Sequence, residues 1–296
     1  MEHQLIRRVQ SPANRLACAV VIAAALFTGA LRPARRELAA RPTGKPAASR
    51  VQNIPQRHGE WPQWRGVDRD GRVSAPAPLG GWPAQASRLW VRQVGEGYSG
   101  PVVAGDRVWI HSRRGAQEVV ANLLLTSGEV VWTAAYEAPF RQNDSAKAHG
   151  LGPYSTPSIL EGRLFTIGVT GVVSAWHAAT GGFLWRRYPG REFKSSFPYF
   201  GAAASPLVWG RLCFVHMGGD DRSRADSPGE GAMVALRVTD GGEEWRWVGD
   251  RPALGASPVI CGIGGSTQLV FKTKRKIVGI DPRTGMELWQ LPYRVS

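Results

Sequence analysis

Four twelve-residue segments of the chain align without a gap, each closing on a tryptophan: Ala121–Trp132, Ser174–Trp185, Val234–Trp245 and Val278–Trp289. Each has a glycine four positions before the tryptophan (Gly128, Gly181, Gly241, Gly285) and an apolar residue nine before it (Leu123, Trp176, Leu236, Ile280). Self-similarity at a fixed period limits a chain to architectures in which one small unit is stacked on copies of itself. The chemistry of the unit is that of a β-hairpin. A strand ends, a Thr-Gly, Ser-Gly or Asp-Gly pair turns the backbone, and a second strand carries the tryptophan.

A second element lies upstream of each tryptophan: Ser99-Gly-Pro101, Ser155-Thr-Pro157, Ser205-Pro206 and Ser257-Pro258, each followed by a short apolar run. Proline suits the first residue of a strand, where no ladder donor is needed. After a turn come Arg107-Val-Trp-Ile, Arg163-Leu-Phe-Thr, Arg211-Leu-Cys-Phe and Gln268-Leu-Val-Phe, read as equivalent strands. Each unit thus holds four short antiparallel strands, and the prolines recur about every fifty residues, the period of β-propeller blades. The expected fold is all-β, a propeller of four-stranded antiparallel blades near 99–136, 155–190, 204–248 and 256–293. A solenoid would not need tight antiparallel hairpins.

Ile280-Asp281-Pro-Arg-Thr284-Gly285-Met-Glu-Leu-Trp289 resembles the pyrroloquinoline-quinone-like (PQQ-like) propeller repeat of quinoprotein dehydrogenases and BamB-type outer-membrane assembly scaffolds. Trp61-Pro-Gln-Trp-Arg-Gly-Val-Asp-Arg-Asp-Gly71 looks like the entry motif of an exported bacterial subgroup. The resemblance covers about residues 61–293 and implies seven or eight blades. About four are present, so the expectation is an incomplete ring and a truncated chain. Trp90, in Arg88-Leu-Trp-Val-Arg-Gln93, looks like a fifth tryptophan strand without inner strands of its own. Open blade edges would allow self-association.

The N-terminus reads separately. Basic Arg7, Arg8 and Arg15 precede twelve apolar residues, Leu16–Phe27, and a small-residue exit, as in a signal peptide over residues 1–30. Residues 31–60 are Arg-, Ala- and Pro-rich and read as a disordered linker. The expected location is the bacterial periplasm or cell envelope, with membrane contact only through an uncleaved signal segment. The net charge of +14 fits this division. Residues 1–50 hold nine Lys and Arg against two Glu, half of the total excess. The rest is spread along the repeat, so no nucleic-acid partner is expected, and the Lys272–Lys276 basic run reads as a hairpin tip.

Catalytic signatures are sparse. The PQQ-like resemblance implies, for a dehydrogenase, a vicinal Cys-Cys pair, a stacking tryptophan and calcium-binding Glu, Asn and Asp; no Cys-Cys pair occurs. The repeated tryptophans are therefore read as blade-packing residues, together with Gly128, Gly181, Gly241 and Gly285. The histidines show no zinc-ligand spacing, and no nucleophile elbow or phosphate loop occurs. Cys213 and Cys261 are expected as buried free thiols. The long connections Ala134–Tyr154 and Arg186–Ala204 supply Tyr136, Phe140, Arg141, His149, Tyr188, Lys194, Phe197 and Tyr199 as candidate partner-binding residues, while Tyr154 and Phe200 read as gap fillers between blades. The expected function is an exported binding or assembly scaffold for a protein or glycan ligand, with no catalytic, cofactor or metal site. The alternative is a PQQ- and calcium-dependent alcohol or polymer dehydrogenase.

Overall fold

The computed structural model describes residues 60–73, 85, 87–142, 144, 149–191, 193, 200–219 and 230–293. The expected signal peptide and all of the linker except Glu60 lie outside the described residues. Contacts divide the chain into Met1–Pro46, none of it described, and Ala47–Ser296, which holds the structure below.

The described residues form sixteen strands in four antiparallel sheets that follow one another along the chain. The first contains β1 (Val102–Ala104), β2 (Arg107–Arg114), β3 (Gln117–Leu124) and β4 (Val130–Glu137). The second contains β5 (Ser158–Leu160), β6 (Arg163–Ile167), β7 (Val173–His177) and β8 (Phe183–Arg187). The third contains β9 (Leu207–Trp209), β10 (Leu212–Gly219), β11 (Glu230–Arg237) and β12 (Glu243–Gly249). The fourth contains β13 (Val259–Ile263), β14 (Ser266–Lys272), β15 (Lys276–Ile280) and β16 (Glu287–Pro292). Each sheet is a simple meander from its proline-led first strand to its tryptophan strand. The architecture is therefore four propeller blades in an unclosed ring.

Period-two alternation sends each strand's apolar residues to both neighbours. Trp109 and Val120 meet Leu164 and Trp176 between the first and second blades. Phe165, Ile167, Val173 and Ala175 meet Cys213, Val215, Val234 and Leu236 between the second and third. Phe214, Met233 and Ala235 meet Leu269, Phe271, Val278 and Ile280 between the third and fourth. All eight residues of β10 are buried, whereas only three of the seven in β14, its counterpart in the fourth blade, are buried. The difference is position: the third blade has a neighbour on either side.

Register corrects one sequence alignment. Val108↔Leu123, Leu164↔Trp176, Cys213↔Leu236 and Leu269↔Ile280 are equivalent pairs, so Leu212, not Arg211, matches Arg107, Arg163 and Gln268. The repeated turn is also wider than a two-residue hairpin. Gly181 N–H donates to the His177 carbonyl (2.8 Å) and His177 N–H to the Gly182 carbonyl (2.7 Å), an α-turn with Gly181 at φ +73°. The same pair of bonds closes the turns at Gly128, Gly241 and Gly285.

The tryptophan leaves its own blade and lies on the next blade's turn. A Cβ on Gly181 would come within 2.6 Å of the Trp132 ring, on Gly241 within 2.6 Å of Trp185, and on Gly285 within 2.6 Å of Trp245. Each indole N–H donates to a carbonyl of the turn it covers: Trp132 to Ala178 (3.0 Å), Trp185 to Val238 (3.1 Å) and Trp245 to Pro282 (3.1 Å). Trp90 completes the series on Gly128, donating to Leu125 (2.8 Å). Trp289 instead folds over Gly279 of its own blade and donates to Gln268 Oε1 (2.6 Å).

A second tie links the starts of the blades. The Thr156 hydroxyl accepts from Gly100 N–H (3.1 Å), Ser205 from Thr156 N–H (3.0 Å), and Ser257 from Ser205 N–H (2.9 Å). The hydroxyl before the proline that opens the second, third and fourth blades thus satisfies the equivalent amide one blade earlier. Cys213 and Cys261 are free, on β10 and β13 of different blades. Cys213 is buried as expected. Cys261 is only half-buried, because it faces the open side of the fourth blade.

Gly241→Ala should destabilise the fold by about 2–4 kcal/mol, combining a left-handed alanine with overpacking against Trp185. Ser205→Ala, which orphans the Thr156 amide, should cost about 1–3 kcal/mol. Urea unfolding of both variants beside the parent checks these values.

Candidate functional site

The connections that lead into the blades converge with the entry segment, residues 60–73. Trp61 N–H donates to the Val103 carbonyl (2.8 Å) and Val103 N–H to that of Trp61 (2.9 Å), adding one bridge to β1. Ile159 N–H on β5 donates to the Pro62 carbonyl (2.8 Å). Arg69 Nη1 donates to the Pro206 carbonyl (2.9 Å) and to Gln63 Oε1 (3.0 Å). The segment therefore crosses the first strands of three blades. Arg69 is buried, and desolvation lowers its pKa to about 9 even with the Cys213 sulfur near it. Its guanidinium lies 5.4 Å from the Trp64 ring centre, and that of Arg65 lies 5.5 Å from it.

A cavity of about 420 Å³ opens beside Trp64. Aromatic groups form much of its wall: Trp64, Tyr98, His149, Tyr154 and Phe200. Thr156 and Ser205, the two blade-linking hydroxyl residues, lie beneath, with Ala203, Leu254 and Gly255 completing the lining. Tyr98, Tyr154, Ala203 and Gly255 each stand three residues before a blade-opening proline, so the wall is built from one position of the repeat. Tyr98 and Tyr154 stack at 5.4 Å with a 13° tilt, and His149 meets Phe200 edge-on at 5.0 Å. The Tyr154 hydroxyl donates toward the Gly150 carbonyl (2.7 Å) and accepts from Gln142 Nε2 (3.1 Å). Burial pushes that hydroxyl's pKa up, keeping it a neutral donor. A second cavity of about 480 Å³ is lined by Trp61, Arg65, Gly100, Pro101 and Val103 together with Trp64 and Thr156. Trp64 and Thr156 face both cavities.

The expected binding residues separate into several places. His149 lines the cavity. Phe140 is half-buried beside Gly201, and Arg141 is exposed. Tyr188 is exposed under the Arg191 guanidinium, 4.4 Å away. Lys194, Phe197 and Tyr199 lie outside the described residues. Tyr136 is not a loop residue: it lies in β4 and is buried, because its hydroxyl completes a polar cluster in the first blade. Trp64, Tyr98 and Leu254 were not anticipated, and Tyr154 and Phe200 line the cavity rather than only filling gaps. Comparing residues three before each proline would have found both tyrosines.

Tyr136 donates its hydroxyl to Glu118 Oε2, so His111 Nε2, at 3.2 Å from that hydroxyl, must be the donor there. Glu118 Oε1 accepts from Val169 N–H of the second blade (2.8 Å) and lies 4.0 Å from Arg113. Arg186 of β8 covers the Tyr136 ring at 4.2 Å. Burial alone would raise the Glu118 pKa, but His111, Tyr136 and the Val169 amide outweigh it, and the net shift is downward. Burial also drives Tyr136 well above the ordinary phenol range, with the Glu118 charge adding to it. At the equivalent position of the third blade, burial lowers His216 from 6.5 to about 4.

A family model described as outer membrane protein assembly factor BamB matches residues 116–295, more than half of the chain. The chain belongs to the BamB family. Two solved structures illustrate what it is similar to. Quinohemoprotein alcohol dehydrogenase from Comamonas testosteroni shares 17% identity over 67% of this chain and 35% of its own, with a TM-score of 0.48. BamB from Moraxella catarrhalis shares 13% identity over 70% of this chain and 55% of its own, with a TM-score of 0.43. The chain thus spans about a third of the first and about half of the second. No curated protein matches it. The quinone and calcium that the PQQ-like resemblance implies do not fit the residues around Trp64. Among the described residues the lining of that cavity holds no carboxylate, and the two described cysteines lie on different blades.

Acid should weaken this BamB-family fold in two steps. The His216 contribution is complete above pH 6.5 and is lost as pH falls toward 4, since only the unfolded state then binds the proton. The Glu118 contribution is complete above its unfolded value near 4.5 and is lost as pH falls through its lower folded value. His216→Gln should flatten the first step by up to about 3 kcal/mol. Urea midpoints measured from pH 7 to 4 test this, and an unchanged slope would refute it.

Proposed function

We propose that the chain is an exported binding and assembly scaffold of the bacterial cell envelope, and that it holds a segment of a protein partner in the cavity beside Trp64. One observation carries this reading: the aromatic wall made by Trp64, Tyr98, Tyr154 and Phe200 is mounted on blade starts tied through Thr156 and Ser205. Rigid aromatic surface binds apolar side chains at small entropic cost, and neighbouring carbonyls and hydroxyls orient a peptide. Membership of a family described as an assembly factor supports the same class of role. A glycan would also stack on tyrosine. The stacked Tyr98–Tyr154 pair spends one face of each ring on the other, leaving narrower platforms better suited to side chains.

A photoreactive amino acid at Tyr98, which is 62% exposed, should yield a discrete protein adduct in envelope extracts. Tyr154→Ala should reduce that adduct at least tenfold while leaving the unfolding free energy from urea titration within about 1 kcal/mol of the parent. Turnover of an alcohol with dye reduction, after addition of PQQ and calcium, would overturn the scaffold reading. An adduct unaffected by Tyr154→Ala would move the binding site elsewhere.

A further inference from the structure

The cavity beside Trp64 is surrounded by donors that lack acceptors. The Thr156 hydroxyl accepts from Gly100 N–H and the Ser205 hydroxyl from Thr156 N–H, yet neither hydroxyl proton has an acceptor among the described residues. Eight other tryptophans donate their indole N–H to a protein oxygen, whereas that of Trp64 has no acceptor among the described residues. The buried Ser155 hydroxyl, next to Thr156 in the chain, is also without a partner. Thr156 and Ser205 open the second and third blades, each of which packs against a neighbour on either side. The floor of the cavity therefore owes nothing to the free sides of the first and fourth blades.

A cation stands behind this wall. Arg69 is only 4% exposed, and its guanidinium meets neutral oxygens alone: Gln63 Oε1 (3.0 Å) and the carbonyls of Pro206 (2.9 Å) and Ser205 (3.4 Å). Its Nε has no partner, and no carboxylate pairs with it among the described residues. Of the acidic groups beside it in the entry segment, Asp70 accepts from Arg72 N–H (2.9 Å) and Asp68 is exposed. A buried charge without a counter-ion is costly, and an anion brought near it offsets part of that cost.

We infer that the protein segment held beside Trp64 carries an acidic side chain, whose carboxylate takes the free donors of Thr156, Ser205 and Trp64 in the field of Arg69. Hydrogen bonds to a carboxylate are about twice as strong as neutral ones, so three such donors select sharply against an amide of the same shape. An apolar residue next to the acid meets the aromatic wall of Tyr98, Tyr154 and Phe200. A lysine or arginine in the same place would meet donors and a like charge. Arg69 contributes through space and through the Ser205 carbonyl, and is a positioning residue rather than a contact.

The inference rests on the scaffold reading only in taking a protein as the carrier of the acid. The probe is the fluorescein-labelled peptide amide Gly-Phe-Asp-Phe-Gly, added to the full chain. Anisotropy should show saturable binding, and the peptides with asparagine or lysine in place of aspartate should bind at least tenfold more weakly. In Trp64→Phe, which keeps an aromatic wall, the aspartate-to-asparagine preference should fall below about threefold. Arg69→Gln should do the same, and Arg69→Lys should restore the preference, with circular dichroism confirming the fold of each variant. No saturable binding, equal binding of the three peptides, or an unchanged preference in both Trp64→Phe and Arg69→Gln would each overturn the inference. A Tyr98 adduct whose captured segment lacks an acidic residue would overturn it and leave the scaffold reading standing. Loss of the adduct with the aspartate preference intact would remove the scaffold reading and leave the carboxylate site.

Discussion

Everything in the structure depends on a flat indole lying on a backbone turn that carries no side chain. The left-handed conformation at Gly128, Gly181, Gly241 and Gly285 already disfavours other residues, and the ring above leaves no room for a Cβ. The contact buries a large apolar group and satisfies its one donor with a turn carbonyl. Because the tryptophan sits on the last strand of one blade and the turn belongs to the next, the contact points one way along the chain. A sheet whose own hairpin were equally tight would gain nothing from this arrangement alone.

The inner ends of the blades are fixed by different chemistry. There the hydroxyls of Thr156, Ser205 and Ser257 reach back to amides of the preceding blade, and the entry segment lies across three first strands. One set of ties is apolar and outer, the other polar and inner. Between them they set the spacing of adjacent blades, and with it the width of the cavity beside Trp64. The Glu118 cluster adds a third tie between the first and second blades, with a carboxylate of one holding an amide of the other. Binding residues placed on such seams inherit the rigidity of both blades.

The hairpins and their order were legible in the sequence, because the Gly-to-Trp spacing is local and repeats, although the turns are wider than the Gly-containing pair alone suggested. What the tryptophan touches was not legible, since nothing local distinguishes packing on its own blade from packing on the next. The slip at Arg211 shows a related limit: a run of apolar residues through Leu212, Cys213 and Phe214 offers no register mark, and only the pairing Cys213↔Leu236 supplies one. The cluster of His111, Glu118 and Tyr136 escaped for the same reason. Its members come from three strands and meet only through the register of β2, β3 and β4. Of the cavity, His149 was anticipated from its loop. Tyr98 and Tyr154 were hidden in plain order, at one repeat position whose other occupants are Ala203 and Gly255.

The one-way contact between a tryptophan and the following turn has a consequence for how such chains change over time. Each of the first three blades carries the protruding ring on one end, and all four carry the receiving socket at their own hairpin, so these blades match one another at the outer seam. Copying or deleting a whole blade leaves the indole-on-turn contact of every remaining outer seam intact, whereas cutting through a hairpin separates socket from ring and damages two seams at once. Mutation by whole units is thereby the route of least structural damage.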